Sequence, residues 1–584
     1  MTRLSNPLVI VFNAWKTQDR FTKYIVAISL ILVIFAYLPT LQFHYVPQDQ
    51  WRAFRYSTLE QTPYFRANAC VNTVWKCYFR TGRPLVWITE CVEHAIVAKI
   101  SDFVYLRPIS LSIVVFTALY LGSILAPIVG GLAMGVLAAS AFLMAPGYSF
   151  MYLQGFPAAM VLVSVILAAA SFNTLHKRLE KTEKISALKI SYFLAPFLLF
   201  MSGCLIYPAW MFLVFPLALA TFGFDDKNPF IKKSQGLLLT LFFYVSAAVF
   251  YYFFVKVTSL IVEQLTGDTS DLRSYAVALQ LNPSTVWQRI VAVQHYFVAM
   301  SPLNFNAPAG LSVLLLGLFP VNIAFRAYQN NHLGLLSAVA YACLLFAFCC
   351  ILLLAAIVPF LLSHMDRLST RHLIPWYLFY CVTAVGLIFS VVKHSKPRIQ
   401  HLASILTLAF FLLPVTVIQN KLSFLEVVTS AMEMQNMRSR LSEWLNNKGY
   451  LHQRYLLVVL PTRARPILVE NMLLGANAGD NAVLSSSQNP VSLPWMINAL
   501  LREQNTHPVG TSVELISCDF NQSCVNAILR STSKVALGIT NGDAIIRSIT
   551  QPFVINNTTF TAKKINPIIQ IIPLVKQAST GPTH

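Results

Sequence analysis

Apolar residues along this chain gather into long unbroken runs, such as 24–41, 237–255, 333–362 and 402–417, separated by shorter polar stretches. A run of about 20 residues matches the hydrocarbon core of a bilayer, because each helical residue rises roughly 1.5 Å. The runs do not alternate between apolar and polar positions, which predicts helices rather than barrel strands. Helices are expected at 23–41, 108–125, 127–145, 157–174, 190–206, 208–223, 237–258, 309–326, 333–361, 373–392 and 401–419. The fold class is therefore a polytopic α-helical membrane protein with about eleven transmembrane helices. The first run follows a basic stretch but is long and has no small-residue cleavage site after Tyr37, so it reads as a retained helix.

Three segments between or after these helices are too long to be simple connections: 42–107, 263–307 and everything after 420. In the first, Trp51, Phe54, Tyr56, Tyr64, Phe65, Trp75, Tyr78, Phe79 and Trp87 are interleaved with Arg52, Arg55, Arg66, Lys76, Arg80 and Arg83. Aromatic residues with basic neighbours suit the headgroup layer, and short interfacial helices are expected there. The tail opens with an amphipathic helical pattern, Met434, Met437, Leu441, Trp444 and Leu445, stopped at Gly449. Beyond it, 456–460, 513–517 and 535–539 read as strands, and 493–502 and 524–530 as helices. That alternation predicts a small C-terminal extracytoplasmic α/β domain. The organisation is then a cytoplasmic N-terminus (1–22), a transmembrane domain (23–423) and an extracytoplasmic C-terminal domain (424–584).

Composition agrees with the pattern. The chain is 56% hydrophobic and 11% charged, with a mean hydropathy of +0.60, where a soluble protein carries roughly 25% charged residues. The net charge of +20 does not mark a nucleic-acid protein, because the cations sit between hydrophobic runs rather than in a basic domain. With the amino terminus inside, the inner loops hold Lys177, Arg178, Lys181, Lys184 and Lys189, then Lys227, Lys232 and Lys233, then Lys393, Lys396 and Arg398. The short outer connections at 147–155 and 206–208 carry no Lys or Arg. This is the positive-inside pattern, and it directs the carboxyl terminus outward. Cys518 and Cys524 are close enough in sequence for a disulfide, and Cys70, Cys77 and Cys91 can include another. No zinc spacing and no Gly-rich nucleotide motif is found, so neither a metal nor a cofactor is expected.

Candidate chemistry lies in the outer segments. Asp49 stands just after the first helix in the run His44 to Arg52, beside aromatic surface that can raise a carboxyl pKa towards that of a useful base. It can equally cap a following helix. Arg80, Gly82, Arg83 and Pro84 mark a turn whose arginines can clamp a phosphate or face solvent and headgroups. Glu90, Glu93 and Asp102 follow as further acids: Glu90 is a possible second carboxylate with a helix-surface role as the alternative, and Glu93 adjoins His94 but points to a different helical face, a weak acid-base pair. Before the tenth helix, Arg367 and Arg371 are four residues apart, followed by His372; they suit an anionic ligand or lipid headgroups. Charged residues are nearly absent from the membrane runs, which argues against a transporter.

This arrangement resembles the GT-C superfamily of membrane glycosyltransferases, including the O-antigen glucosyltransferases and the lipid A aminoarabinose transferase. Gln48-Asp49-Gln50-Trp51-Arg52 stands where that family places an acidic catalytic motif after the first helix. Arg80-Thr81-Gly82-Arg83-Pro84-Leu85 is similar to the Gly-Arg turn of the O-antigen glucosyltransferases, and Arg371-His372-Leu373-Ile374-Pro375 to an Arg-Tyr-Leu-Leu-Pro element before a late helix. Many members have two adjacent carboxylates, whereas Asp49 is flanked by glutamines, so Glu90, Glu93 or Asp102 would supply any second acid. The resemblance implies a sugar donor on a polyprenyl phosphate and a glycan, lipid or protein acceptor in a bacterial inner membrane, with the C-terminal domain periplasmic or extracellular. Asp49 would be the general base. Arg83, Arg367 and Arg371 would hold the donor phosphate, with Trp51, Arg52, Arg80 and His372 as further substrate contacts. An O-antigen-type polymerase or ligase, and a lipid-linked glycan transporter or flippase, are the rival readings.

Overall fold

The computed structural model describes residues 7–46, 62–80, 82–145, 160–181, 190–224, 230–266, 282–299, 310–329, 334–356, 373–446, 455–460, 496–497, 499–500, 503, 512–517, 536–539, 553–555, 558–565 and 568–573. Its helices are α1 (Pro7–Lys16), α2 (Arg20–Tyr37), α3 (Pro63–Arg80), α4 (Pro84–Ile96), α5 (Phe103–Val129), α6 (Leu132–Leu143), α7 (Leu162–Lys181), α8 (Ser191–Cys204), α9 (Val214–Phe224), α10 (Phe230–Thr266), α11 (Pro283–Ala299), α12 (Gly310–Gln329), α13 (Leu335–Ala356), α14 (Ile374–Val392), α15 (Pro397–Thr407) and α16 (Leu413–Asn446). Two compact units are formed: residues 1–42, 67–93 and 105–424 make the first, and 43–66, 94–104 and 425–584 the second.

Six helical spans among the described residues are long and apolar enough to cross a membrane: Arg20–Tyr37, Ile100–Val129, Ser234–Thr266, Leu335–Ala356, Ile374–Val392 and Pro397–Phe424. The eleven expected crossings are thus not all met by length. Four further apolar helices are shorter: Leu132–Leu143, Ser191–Cys204, Pro208–Phe224 and Leu314–Arg326. The helix expected at 157–174 appears as α7, whose last two turns carry His176, Lys177, Arg178, Glu180 and Lys181, so its apolar part is short.

The first unit is organised around helices with no polar face. Every residue of α6 and of α9 is buried, and α14 is buried along its first two-thirds, from Ile374 to Gly386 apart from Ala384. A helix apolar all round belongs inside a large or membrane-embedded core. Outer helices instead expose large apolar side chains, as α10 does at Leu238, Phe242, Val245, Val249, Phe250 and Phe253. A stripe of that size facing water would be a severe liability, and lipid is its natural solvent. Inside, several polar groups are paired with backbone carbonyls. Tyr37 donates to the Leu143 carbonyl at 2.5 Å, Trp376 Nε1 to the Leu353 carbonyl at 2.6 Å, and Ser171 to the Pro196 carbonyl at 2.7 Å.

Between α15 and α16 the helix passes through a π-turn at Leu408–Leu412. Pro414 follows at once; it has no N–H for the carbonyl one turn back, and its ring crowds that carbonyl, which a widened turn relieves. The separate amphipathic helix expected around 434–445 is in fact the end of α16, which runs unbroken from Leu413 to Asn446.

In the second unit six strands form one sheet in the order β2-β1-β3-β6-β5-β4, with β1 Tyr455–Leu460, β2 Ser512–Ser517, β3 Ala536–Ile539, β4 Phe553–Ile555, β5 Thr558–Ile565 and β6 Ile568–Pro573. The three segments expected as strands are β1, β2 and β3, and β1 pairs in parallel with both others, Val458 facing Leu515 on one side and Leu537 on the other. Parallel neighbours require crossovers of a dozen or more residues. The expected helix at 524–530 lies outside the described residues, as does most of that at 493–502. The antiparallel half, β6, β5 and β4, was not anticipated.

Candidate functional site

Two helices of the long first loop make an antiparallel hairpin, and its tip holds Arg83. Pro84 occupies the first position of α4, where its missing N–H costs nothing. Gly82 turns the chain with φ +73°, a left-handed conformation that side chains with a Cβ adopt poorly. The Gly82 N–H reaches the Phe79 carbonyl at 3.2 Å and the Arg83 N–H the Tyr78 carbonyl at 2.8 Å, so the end of α3 is capped by the turn itself.

The hairpin is stapled along its length. Cys70 on α3 and Cys91 on α4 form a disulfide, with their Cα atoms 5.4 Å apart. Tyr78 donates its phenolic proton to the Glu90 carboxylate across the same interface. The Phe79 and Trp87 rings meet edge to face, centroids 6.2 Å apart. Of the three pairings left open by Cys70, Cys77 and Cys91, the structure forms Cys70–Cys91; the Cys77 side chain lies outside the described residues.

The tip is then locked onto membrane helices of the same unit. Tyr251 of α10 donates to the Gly82 carbonyl at 2.6 Å. The Leu85 N–H donates to the Leu205 carbonyl, just beyond α8, at 3.1 Å. The Arg83 guanidinium carbon sits 5.5 Å from the centroid of the Tyr207 ring, within cation–π range. Arg83 is half-buried, and among the described residues no carboxylate lies within ion-pair distance of it. The donor fork of a guanidinium matches a phosphate bidentately, so an arginine oriented by an aromatic face is chemically able to take an anion.

The other expected site residues fare differently. Asp49, Trp51 and Arg52 lie outside the described residues, as do Arg367, Arg371 and His372, Cys518 and Cys524. Arg80 is the last residue of α3, with its side chain outside the described set. Glu90 is buried and bound by Tyr78. Glu93 and His94 are also buried, at 3% and 1% exposure, rather than on a helix surface. Asp102 caps a single 3-10 turn: its Oδ2 accepts from the Ala98 and Lys99 N–H groups at 2.7 and 2.8 Å. Arg66, one of the loop cations, is buried and donates to the carbonyls of His94 and Ala95 at 3.1 and 2.7 Å, where α4 ends.

The sequence pattern marks Tyr78 only as one of the interfacial aromatics, not as the partner of Glu90, and it does not single out Tyr207 or Tyr251. The Tyr207-Pro208 step carried a weak signal, as an aromatic residue before a helix-starting proline in a short outer connection. Tyr251 carried none, being one of many aromatics in α10. No family model matches the chain, and no curated protein matches it.

Proposed function

We propose that this chain is an inverting glycosyltransferase of GT-C type, moving a sugar from a polyprenyl-phosphate donor to an extracytoplasmic glycan, lipid or protein acceptor. In this reading it crosses a bacterial inner membrane about eleven times, with the amino terminus cytoplasmic and a C-terminal α/β domain outside. The observation that carries it is Arg83. The first loop presents an arginine with no carboxylate at ion-pair distance among the described residues, its guanidinium over the Tyr207 ring and the neighbouring Gly82 carbonyl bound by Tyr251. A lipid-linked phosphate brings its charge to that depth.

Asp49 accepts the proton of the acceptor hydroxyl as its oxygen bonds to the anomeric carbon on the face opposite the phosphate. The bond from that carbon to the phosphate oxygen breaks, and the electron pair leaves with the phosphate. Arg83, with Arg367 and Arg371 from the later loop, neutralises it. No nucleotide is needed, in keeping with the absence of a Gly-rich phosphate motif.

The test supplies labelled polyprenyl-phosphate sugars to the full chain in lipid nanodiscs and compares it with Asp49→Asn. Transfer or donor hydrolysis by the native chain, lost at least 100-fold in the variant, is the expected result. Full turnover by Asp49→Asn removes Asp49 from the base role. No turnover with any donor removes the reading.

A further inference from the structure

The second unit contains a cavity of about 560 Å³, inside the roughly 300–1,000 Å³ typical of small-molecule sites. One wall is a face of α16: Val428, Ala431, Gln435 and Arg438 recur every three or four residues and all line it. Ile100 and Met434 add to the apolar side, and Phe43 contributes a flat ring.

Its polar end has a particular character. Arg438 Nη2 lies 2.8 Å from Glu503 Oε2 and Arg438 Nη1 donates to Gln435 Oε1 at 2.9 Å. The cation is therefore already neutralised, and among the described lining residues no further Lys or Arg offers positive charge for a phosphate. What remains among the described lining residues is a hydrogen-bonding set: Glu503 Oε1 as acceptor, Gln435 Nε2 as donor, the Ser101 hydroxyl as either, and the His44 ring nitrogens. Planar carboxylate and amide groups beside an aromatic ring fit a polyhydroxylated ring, whose hydroxyls both donate and accept. The apolar wall fits a hydrocarbon carrier attached to it.

We propose that this cavity binds the neutral, hydroxyl-rich head of an amphiphilic glycan acceptor. The assignment to the acceptor rests on the glycosyltransferase reading above; the ligand chemistry does not. Position favours the acceptor side, because Asp49 follows His44 by five residues and an extended chain of that length spans at most about 18 Å.

The test uses two photoreactive probes with the same diazirine-bearing dodecyl chain, one headed by maltose and one by phosphocholine, on the full chain in nanodiscs. Crosslinked peptides are identified by mass spectrometry. The maltoside is expected to label the peptides containing Phe43–His44 or Val428–Arg438 at least fivefold more than the phosphocholine probe. That labelling falls at least fivefold in Gln435→Ala and in Ala431→Trp, which fills the cavity. Gln435→Ala keeps the helix intact should the tryptophan disturb it. Equal labelling by both probes marks a pocket for any acyl chain and overturns the proposal, as does maltoside labelling that ignores both variants. No sugar donor is involved, so labelling without transfer from any donor leaves the site standing and removes only the enzymatic assignment.

Discussion

Removing the Cys70–Cys91 disulfide is the sharpest perturbation of the element that carries Arg83. The bridge joins residues 21 apart in sequence, and closing a loop of that length in the opened hairpin is worth about 3 kcal/mol on chain-entropy grounds. The remaining staples, Tyr78 with Glu90 and the Phe79–Trp87 ring pair, stay in place. The helices should therefore persist while the hairpin opens more often. A loss of about 3 kcal/mol raises the open population on the order of 100-fold. The assay is hydrogen exchange on the Cys70→Ser, Cys91→Ser double variant in nanodiscs, read on peptides covering Ala67–Glu93. Amides there should exchange on the order of 100 times faster, while the buried α14 keeps its native rate. Acceleration of less than about threefold in the hairpin refutes the account, because the bridge would then constrain nothing that the other contacts do not already hold.

Four further outcomes follow from the same geometry. Arg83→Ala should raise the donor KM roughly 10- to 150-fold, the worth of about 1.5–3 kcal/mol for a charged hydrogen bond. Arg83→Lys should recover only part of it, having no planar fork to stack on Tyr207; full recovery in steady-state kinetics contradicts the stacking argument. Glu90→Gln keeps an acceptor for the Tyr78 hydroxyl and should leave kcat near native, with Glu90→Ala and Tyr78→Phe sharing a raised donor KM; a 100-fold kcat loss in Glu90→Gln instead makes Glu90 a proton-transfer residue. Gly82→Ala should lower the thermal midpoint, since its Cβ would meet Val255 Cγ2 at 2.5 Å with φ at +73°, and an unchanged midpoint speaks against the observed turn. At the start of α2, the Thr22 N–H bound to Asp19 at 2.6 Å, aided by His401 and Lys23, holds the Asp19 carboxyl below its ordinary 3.8. That cap contributes stability above pH 3.8 and loses it as pH falls through the lowered value, so helix-end exchange should rise only in acid and be insensitive to pH in Asp19→Ala.

The helices were legible because their cause is local. Continuous apolar runs need no tertiary information, and each expected run includes described helical residues, although among the described residues six spans meet the length and apolarity of a crossing. Boundaries set by packing were not legible. Met434 and Met437 have helical spacing whether they begin a new helix or finish α16, and nothing between Pro414 and Asn446 breaks the helix. The disulfide shows the same limit. In an antiparallel hairpin either Cys70 or Cys77 can face Cys91, and which one does depends on how α3 is rotated, a property of its packing rather than of its spacing. Asp102 read as an acid in a promising loop, yet its carboxylate is occupied by two backbone N–H groups, a local capping role that its spacing from Ala98 and Lys99 also permits.

The cations of the first loop can now be separated by what surrounds them. In the proposed topology the first loop lies outside, so its arginines run against the charge bias of the other connections and each needs a reason to be there. For Arg66 the reason is structural, because it lies buried against the carbonyls at the end of α4, groups that no intrahelical donor can reach. Replacing it should cost stability without touching any ligand. Arg83 has no comparable carbonyl partners among the described residues; its contacts orient the guanidinium and do not neutralise it. Holding a half-buried cation in that state is costly unless an anion is bound for part of the time. In the proposed function, this contrast rather than the Gly-Arg pattern singles out Arg83 for the phosphate, and a stability gain on adding a polyprenyl phosphate, present in the native chain and absent in Arg83→Ala, is its direct measure.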